Sequence, residues 1–298
     1  MMAKSITMTV IFQANSLNYG EGIGNISELK KIHRANGDVF TFASRQSIRY
    51  DIVRLGNELF NWNLDTVDKT KGTLQFRQDI NITDSVEMDL FGYLKTSKKS
   101  QKRPAVARLS HAISLEPYNS DLEFLNNMGL ADRIGEDANL ANIEQHESLY
   151  TYTITIDLGR LGKDGDIELS STEKINRLHQ LLDILKILNR NIRGRQESLA
   201  PLFVIGGVYD VANPFFLGKV NLDTSEKGWH IKVNTIADVC QQTFAGQKIA
   251  EQTRMGLLEG IFTNENIIKD KFKGQVMSIE EFFEHLKNEG SQAIEGLK

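Results

Sequence analysis

A chain of 298 residues can bury a large core and can hold one elaborated domain or two ordinary ones. Its hydrophobic and charged fractions, 40% and 25%, are those of a soluble globular protein and exclude wholesale disorder. The net charge of −4 excludes coating duplex DNA through bulk positive charge, and the single cysteine, Cys240, excludes an intramolecular disulfide and fits a reducing compartment.

No apolar run approaches the roughly 18 residues that a membrane span needs, and no cleavable apolar leader follows Lys4, so a cytoplasmic protein without a membrane partner is expected. Residues 5–12 alternate, with Ile6, Met8, Val10 and Phe12 on one side and Thr7 and Thr9 on the other, as a half-buried strand does. The following Tyr19-Gly20-Glu21-Gly22-Ile23-Gly24 is not a dinucleotide loop: its spacing is not GxGxxG and no helix opens behind it. Lys30, Lys31 and Arg34 then lead to Ser44, which sits where an N-cap belongs before a helix with Ile48, Ile52, Leu55 and Leu59 at core spacing. Arg45 and Arg49 put cations at the positive end of that helix, a conflict that either a phosphate or neighbouring Asp38 and Asp51 would relieve.

Residues 61–89 show poor periodicity and read as an inserted subdomain. Residues 89–94 form a compact apolar element, and residues 105–115, after Pro104, read as a strand. Residues 116–147 are irregular yet carry large apolar side chains, which marks a functional connection more than a disordered one. Residues 149–158 are the clearest strand: Tyr150, Tyr152, Ile154, Ile156 and Leu158 face a core, while Thr151, Thr153 and Thr155 line a face open to solvent or ligand. Ser170 to Glu173 form a capping box for a helix burying Ile175, Leu178, Leu182, Leu185 and Leu188 and breaking near Gly194. Residues 202–209 read as a buried strand, 229–233 as another, and 278–287 as a capped helix with Phe282, Phe283 and Leu286 inward.

Without its insertions the order is strand, helix, strand, strand, helix, strand. That is an α+β fold, the ferredoxin-like β-α-β-β-α-β arrangement shared with RNA-recognition (RRM-like) modules. Charge is segregated along it. Residues 90–115 contain no acid but hold Lys95, Lys98, Lys99, Lys102, Arg103 and Arg108; a second acid-free window holds Arg190, Arg193 and Arg195; acids gather at Glu280, Glu281, Glu284 and Glu289. Such segregation suits a polyanion groove, or a solvated lysine loop.

Four segments in succession, residues 37–51 (GDVFTFASRQSIRYD), 89–94 (DLFGYL), 108–115 (RLSHAISL) and 150–158 (YTYTITIDL), together resemble the DevR-type, type I-B CRISPR-associated backbone subunit of Cascade, one of the RAMP proteins. The resemblance implies a palm at residues 1–60, 101–115 and 148–240, a fingers insertion at 61–100, a thumb at 116–147 and a C-terminal helical extension at 241–298. It implies several copies in a helical filament along one CRISPR RNA (crRNA), with other Cascade subunits, holding the spacer for pairing with a target DNA strand in antiviral defence. On matching positions, Ser44, Arg45, Gln46 and Arg49 fall on the motif that grips the guide backbone. Lys30, Lys31, Arg103 and Arg108 are further RNA-binding candidates, as are Arg193 and Arg195 in the loop after the second palm helix. Leu122, Phe124 and Met128 are candidates for the thumb tip that wedges beside a displaced base, with Leu94 facing them; Leu94 and Phe124 also fit a plain core role. Cations on phosphates plus apolar contacts to base faces give a grip indifferent to sequence, with target choice left to base pairing.

A metal-dependent RAMP ribonuclease is the rival reading. It needs an aspartate in the loop after the first strand, but residues 13–36 hold none and Asp38 lies late. His33, His111, His146, His179, His230 and His285 lack ligand spacing, so no catalytic residue, metal or other cofactor is expected. His111 reads as an interior histidine more readily than as a general base. The second rival, a transcriptional regulator, lacks a helix-turn-helix pattern.

Overall fold

The computed structural model describes residues 4–70, 72–96 and 100–297. Strand Ser5–Asn15 lies at the centre of a mixed α/β architecture, because every apolar residue of its alternation finds cover. It pairs antiparallel along its whole length with Glu147–Asp157, from Ser5 opposite Asp157 to Asn15 opposite Glu147, and on its other side with Phe203–Tyr209. Among the described residues this sheet has nine strands, in the order Val276–Met277, Arg254–Leu257, Phe203–Tyr209, Ser5–Asn15, Glu147–Asp157, Ala112–Ser114, Val39–Ala43 and Lys31–His33, with Ala107–Leu109 also on Glu147–Asp157. The 241–298 stretch expected to be helical thus contributes two strands besides its helices Ile249–Gln252, Glu265–Lys271 and Ile279–Glu295.

One face of the sheet carries Ile6, Met8, Val10, Phe12, Tyr150, Tyr152, Ile154 and Ile156 against the helices Arg45–Phe60, Ser171–Lys186 and Ile279–Glu295. Serine caps set all three helix starts: Ser44, Ser170 and Ser278 each accept the N–H three residues on, and Glu281 closes a capping box at the last. Leu59 departs from its expected core position and is 48% exposed, whereas Ile48, Ile52 and Leu55 are buried. The second face, expected to be open at its threonines, is covered at Thr153 and Thr155 and stays open to a cleft at Thr151. Phe216, Val220, Leu222, Ile236 and Phe272 close over Ile11, Phe203 and Ile205 as a second core. The buried Thr7 and Thr9 hydroxyls meet those of Thr155 and Thr153, at 3.3 and 2.7 Å, so these four are satisfied internally, whereas the Thr151 hydroxyl has no partner among the described residues. Residues 229–233 form a single bridge, Leu222 to Ile231, before helix Val233–Gln241.

Residues 105–115 do not make one strand. Leu109 opposes Ile154 while Ile113 opposes Thr151, so three residues stand against two and a β-bulge interrupts the ladder at Ser110 and His111. The Ser110 hydroxyl fills the gap by accepting the Thr153 N–H at 2.9 Å. The bulge turns His111 outward, where it is exposed, correcting its expected interior position.

Residues 61–103, most of them expected as an insertion, hold two hairpins, Val67–Thr70 with Thr73–Phe76 and Tyr93–Lys95 with Gln101–Arg103, joined by helix Val86–Phe91. Residues 116–147, expected to be irregular, contain a regular hairpin, Leu122–Asn126 with Leu140–Glu144, tipped by the one-turn helix Met128–Ala131 and flanked by the parallel strand Ile26–Ser27. No described helix is long and apolar enough to cross a membrane.

Candidate functional site

The first turn of helix Arg45–Phe60 stands at the exposed end of the sheet, beside the bulge. Its donors are partly claimed. Ser44 Oγ accepts the Ser47 N–H at 3.2 Å, and His111 Nδ1 accepts the Arg45 N–H at 3.1 Å, which requires an unprotonated Nδ1. The Gln46 N–H is the first-turn donor with no internal partner among the described residues. Ser44 is itself fixed by Asn18, whose side-chain oxygen accepts the Ser44 N–H at 3.0 Å.

Two clefts flank this turn and share Arg45, Gln46 and Leu109. The larger, about 810 Å³, lies between the helix start with Ser110 and His111 on one side and residues 217–232 on the other. The smaller, about 350 Å³, is lined by Arg45, Arg49, Arg108 and Phe91. Arg45 and Arg108 are exposed and make no ion pair among the described residues. Asp38, one of the acids expected as a neutraliser, is bonded instead to Asn36 at 2.7 Å. Asp51, the other, is buried and takes Arg190 at 2.7 Å and Arg54 at 3.7 Å; burial raises its carboxyl above the ordinary value and outweighs both guanidinium groups.

Several expected contacts are committed inside the protein. Arg49 pairs with Glu87 at 2.6 Å and lies 5.1 Å from the Phe91 ring centre, so it borders the smaller cleft as a neutralised group. Lys31 is held by Glu144 at 2.6 Å and stands over Tyr118. Arg103 is 5% exposed: it pairs with the buried Asp89 at 2.5 Å and donates to the Lys163 and Arg160 carbonyls. Its enclosure corrects its expected place in a binding surface, because a guanidinium so buried cannot reach an external phosphate. Arg195 donates to Gln145 at 3.0 Å and lies 3.5 Å from Glu197. Arg193 sits at the tip of the hairpin Asn189–Ile192 with Arg195–Ser198, in left-handed backbone beside Gly194, and stacks 4.3 Å from the Tyr19 ring centre. Lys30 is part-buried, its backbone bonded to Asn18 and Phe42. Lys98 and Lys99 lie outside the described residues.

The apolar candidates are on the surface. Leu122, Phe124 and Met128 are 49%, 59% and 56% exposed on the 122–144 hairpin and its tip, and Leu94 is 56% exposed on the fingers. A core role for Leu94 or Phe124 is therefore excluded. At the root of this hairpin His146 is buried, its Nδ1 2.7 Å from the Thr41 hydroxyl and its ring against Tyr118 and Tyr150. Burial lowers its pKa, with Glu116 acting weakly in the other direction. Among the described residues no group of three or more His, Cys, Asp or Glu side chains is gathered to hold a metal ion.

Sequence reasoning missed the outward turn of His111 and the whole far wall of the larger cleft, including Lys232. The phase shift that a bulge makes is hard to see in an alternation as short as residues 105–115, and Lys232 lies 187 positions along the chain from Arg45.

A family model described as "CRISPR-associated negative auto-regulator DevR/Csa2" matches residues 6–226. A chain in a solved structure titled "CRISPR RNA-guided surveillance complex, pre-nicking" is similar in fold, with a TM-score of 0.61 and 12% identity over 96% of this chain and 100% of the other. A chain of a second, titled "CRISPR RNA-guided surveillance complex", gives a TM-score of 0.57 and 12% identity over 97% and 99% of the two chains. No curated protein sequence matches this one.

Proposed function

The chain belongs to the CRISPR-associated DevR/Csa2 family, and from that membership we propose that it is a non-catalytic, CRISPR RNA-binding backbone subunit of a type I surveillance complex, Cascade. Copies line up along one guide and hold its spacer for pairing with a target DNA strand. The observation that carries this reading is the unneutralised Arg45 at the positive end of a helix, beside the free Gln46 N–H and exposed Arg108. A cation placed there is unfavourable until an anion joins it, and phosphates of a single strand supply anions without base information.

The fold agrees with a ferredoxin-like, RAMP-type palm. Strands Phe203–Tyr209, Ser5–Asn15, Glu147–Asp157 and the bulged 107–114 segment stand in the order fourth, first, third, second, with helices Arg45–Phe60 and Ser171–Lys186 on one face. Fingers and thumb are then the 67–103 hairpins and the 122–144 hairpin. The open sheet face on which RNA-recognition modules stack bases is filled here by the protein's own second core. The guide therefore runs past the helix start and meets the sheet only where Leu109, Ile113 and Thr151 stay open to the larger cleft.

Fluorescence anisotropy with two RNAs of unrelated sequence, across a salt series, tests this. Arg45→Ala is expected to weaken both alike and to lower the slope of log affinity on log salt by about 0.7 per lost phosphate contact. Arg49→Ala should cost less, since Glu87 already occupies that guanidinium. Unchanged binding by Arg45→Ala, or a loss confined to one RNA, would count against the proposal. Metal-dependent cleavage of the RNA would favour the ribonuclease reading, and equal affinity for a promoter duplex the regulator reading.

A further inference from the structure

We propose that residues 211–232 form the second wall of the RNA groove and that Lys232 holds the strand from the side opposite Arg45. The inference rests on the guide-binding reading above and extends it to a segment far from every motif. The larger cleft, about 810 Å³, has Arg45, Gln46 and His111 on one side and Leu217, Asn221 and Lys232 on the other. That volume falls in the range of pockets that enclose small ligands, about 300–1,000 Å³, and so has room for a nucleotide unit.

The far wall is built to keep its place. Phe216, Val220 and Leu222 are buried in the second core, and the Asn221 carbonyl accepts the Lys232 N–H at 2.9 Å. Asn264, itself buried, clamps Ile231 in both directions, accepting its N–H at 3.1 Å and donating to its carbonyl at 2.8 Å. On this anchored backbone Leu217, Thr224 and Lys232 face outward and are exposed. The charges of the cleft match a polyanion. Arg34, Arg45 and Lys232 border it, and its one lining carboxylate, Asp38, is bonded to Asn36. Asp223, near Lys232, accepts the Ser225 hydroxyl at 2.7 Å and the Ser225 N–H at 3.2 Å, and it offsets part of the lysine's charge without pairing directly with it. Cations on opposing rims with Leu109, Ile113 and Leu217 between them suit a strand whose phosphates meet the rims and whose sugars and bases meet apolar surface.

The test uses the full-length protein in two measurements. Photo-crosslinking of wild type to a 4-thiouridine-substituted RNA, followed by peptide mass spectrometry, is expected to yield adducts within 211–232. Lys232→Ala, checked for an unchanged melting temperature, is expected to bind unrelated RNAs more weakly and to lower the salt slope by about 0.7. The ratio of wild-type to variant affinity should then shrink about 2.6-fold as salt rises fourfold. If wild type binds RNA and Arg45→Ala weakens it, but Lys232→Ala keeps affinity and slope and no adduct falls in 211–232, the second wall is refuted and the guide-binding reading stands. If wild type binds no RNA, both fall.

Discussion

Two neighbouring tyrosines illustrate how little a single residue type says about its role. Tyr150 and Tyr152 share one face of strand Glu147–Asp157 and both are buried, as their alternation predicts. Tyr150 spends its hydroxyl on Thr41 at 2.9 Å and on the His146 carbonyl at 3.1 Å. Among the described residues Tyr152 has no partner for its own, and burial alone drives that phenol far above its ordinary pKa. A buried, unpaired hydroxyl costs about 1–3 kcal/mol. Tyr152→Phe is therefore expected to raise stability by about 1 kcal/mol, read from the urea midpoint at constant slope; a loss of stability would show that the hydroxyl is satisfied. The inward direction of both rings was legible in the sequence. The fate of their hydroxyls was not, because what separates the two is Thr41, which the fold brings to Tyr150 from 109 positions away and not to Tyr152. Arg103 teaches the same lesson in reverse: its acid-free neighbourhood in the sequence hides an aspartate, Asp89, that the fold brings to it.

Elements were readable where a core imposes a period. Strand Ser5–Asn15 and helix Ser171–Lys186 follow their patterns because one side of each is fully buried. The Leu122–Asn126 strand gives no such signal, since all its residues are exposed and nothing selects apolar over polar on either face. Its root is more constrained than its tip. His146 is buried there, bonded to Thr41 and packed on Tyr118 and Tyr150. Burial places its folded-state pKa below the unfolded value near 6.5, so the unfolded chain takes up the proton first. The stability linked to this group is fully present above about pH 6.5 and is lost as pH falls toward the folded pKa. Wild type should accordingly lose more stability than His146→Gln between about pH 7.5 and about pH 5.5 in urea unfolding. Equal slopes for the two proteins would exclude the linkage.

Across the whole molecule, one carboxylate joins parts that the sequence keeps apart. Asp89, fully buried, receives Arg103 from strand Gln101–Arg103 at 2.5 Å, Arg177 from helix Ser171–Lys186 at 2.9 Å, and the Gly162 N–H at 3.0 Å. Removing it leaves the enclosed Arg103 with carbonyl partners but no counter-charge and Arg177 with Glu173 as its remaining carboxylate. Asp89→Ala is expected to cost about 3–5 kcal/mol in urea unfolding, far more than a surface ion pair; a cost below about 1 kcal/mol would mean that water reaches both arginines. The two ends of the sheet carry a different consequence. Its outermost strands, Val276–Met277 and Lys31–His33, have two and three residues. A ribbon margin that short offers a neighbour too few main-chain groups to zip onto. On the proposed reading, crowding many copies onto one guide would then carry little danger of their fusing into a continuous fibre, and the spacing between copies would be left to the surfaces that project from the sheet.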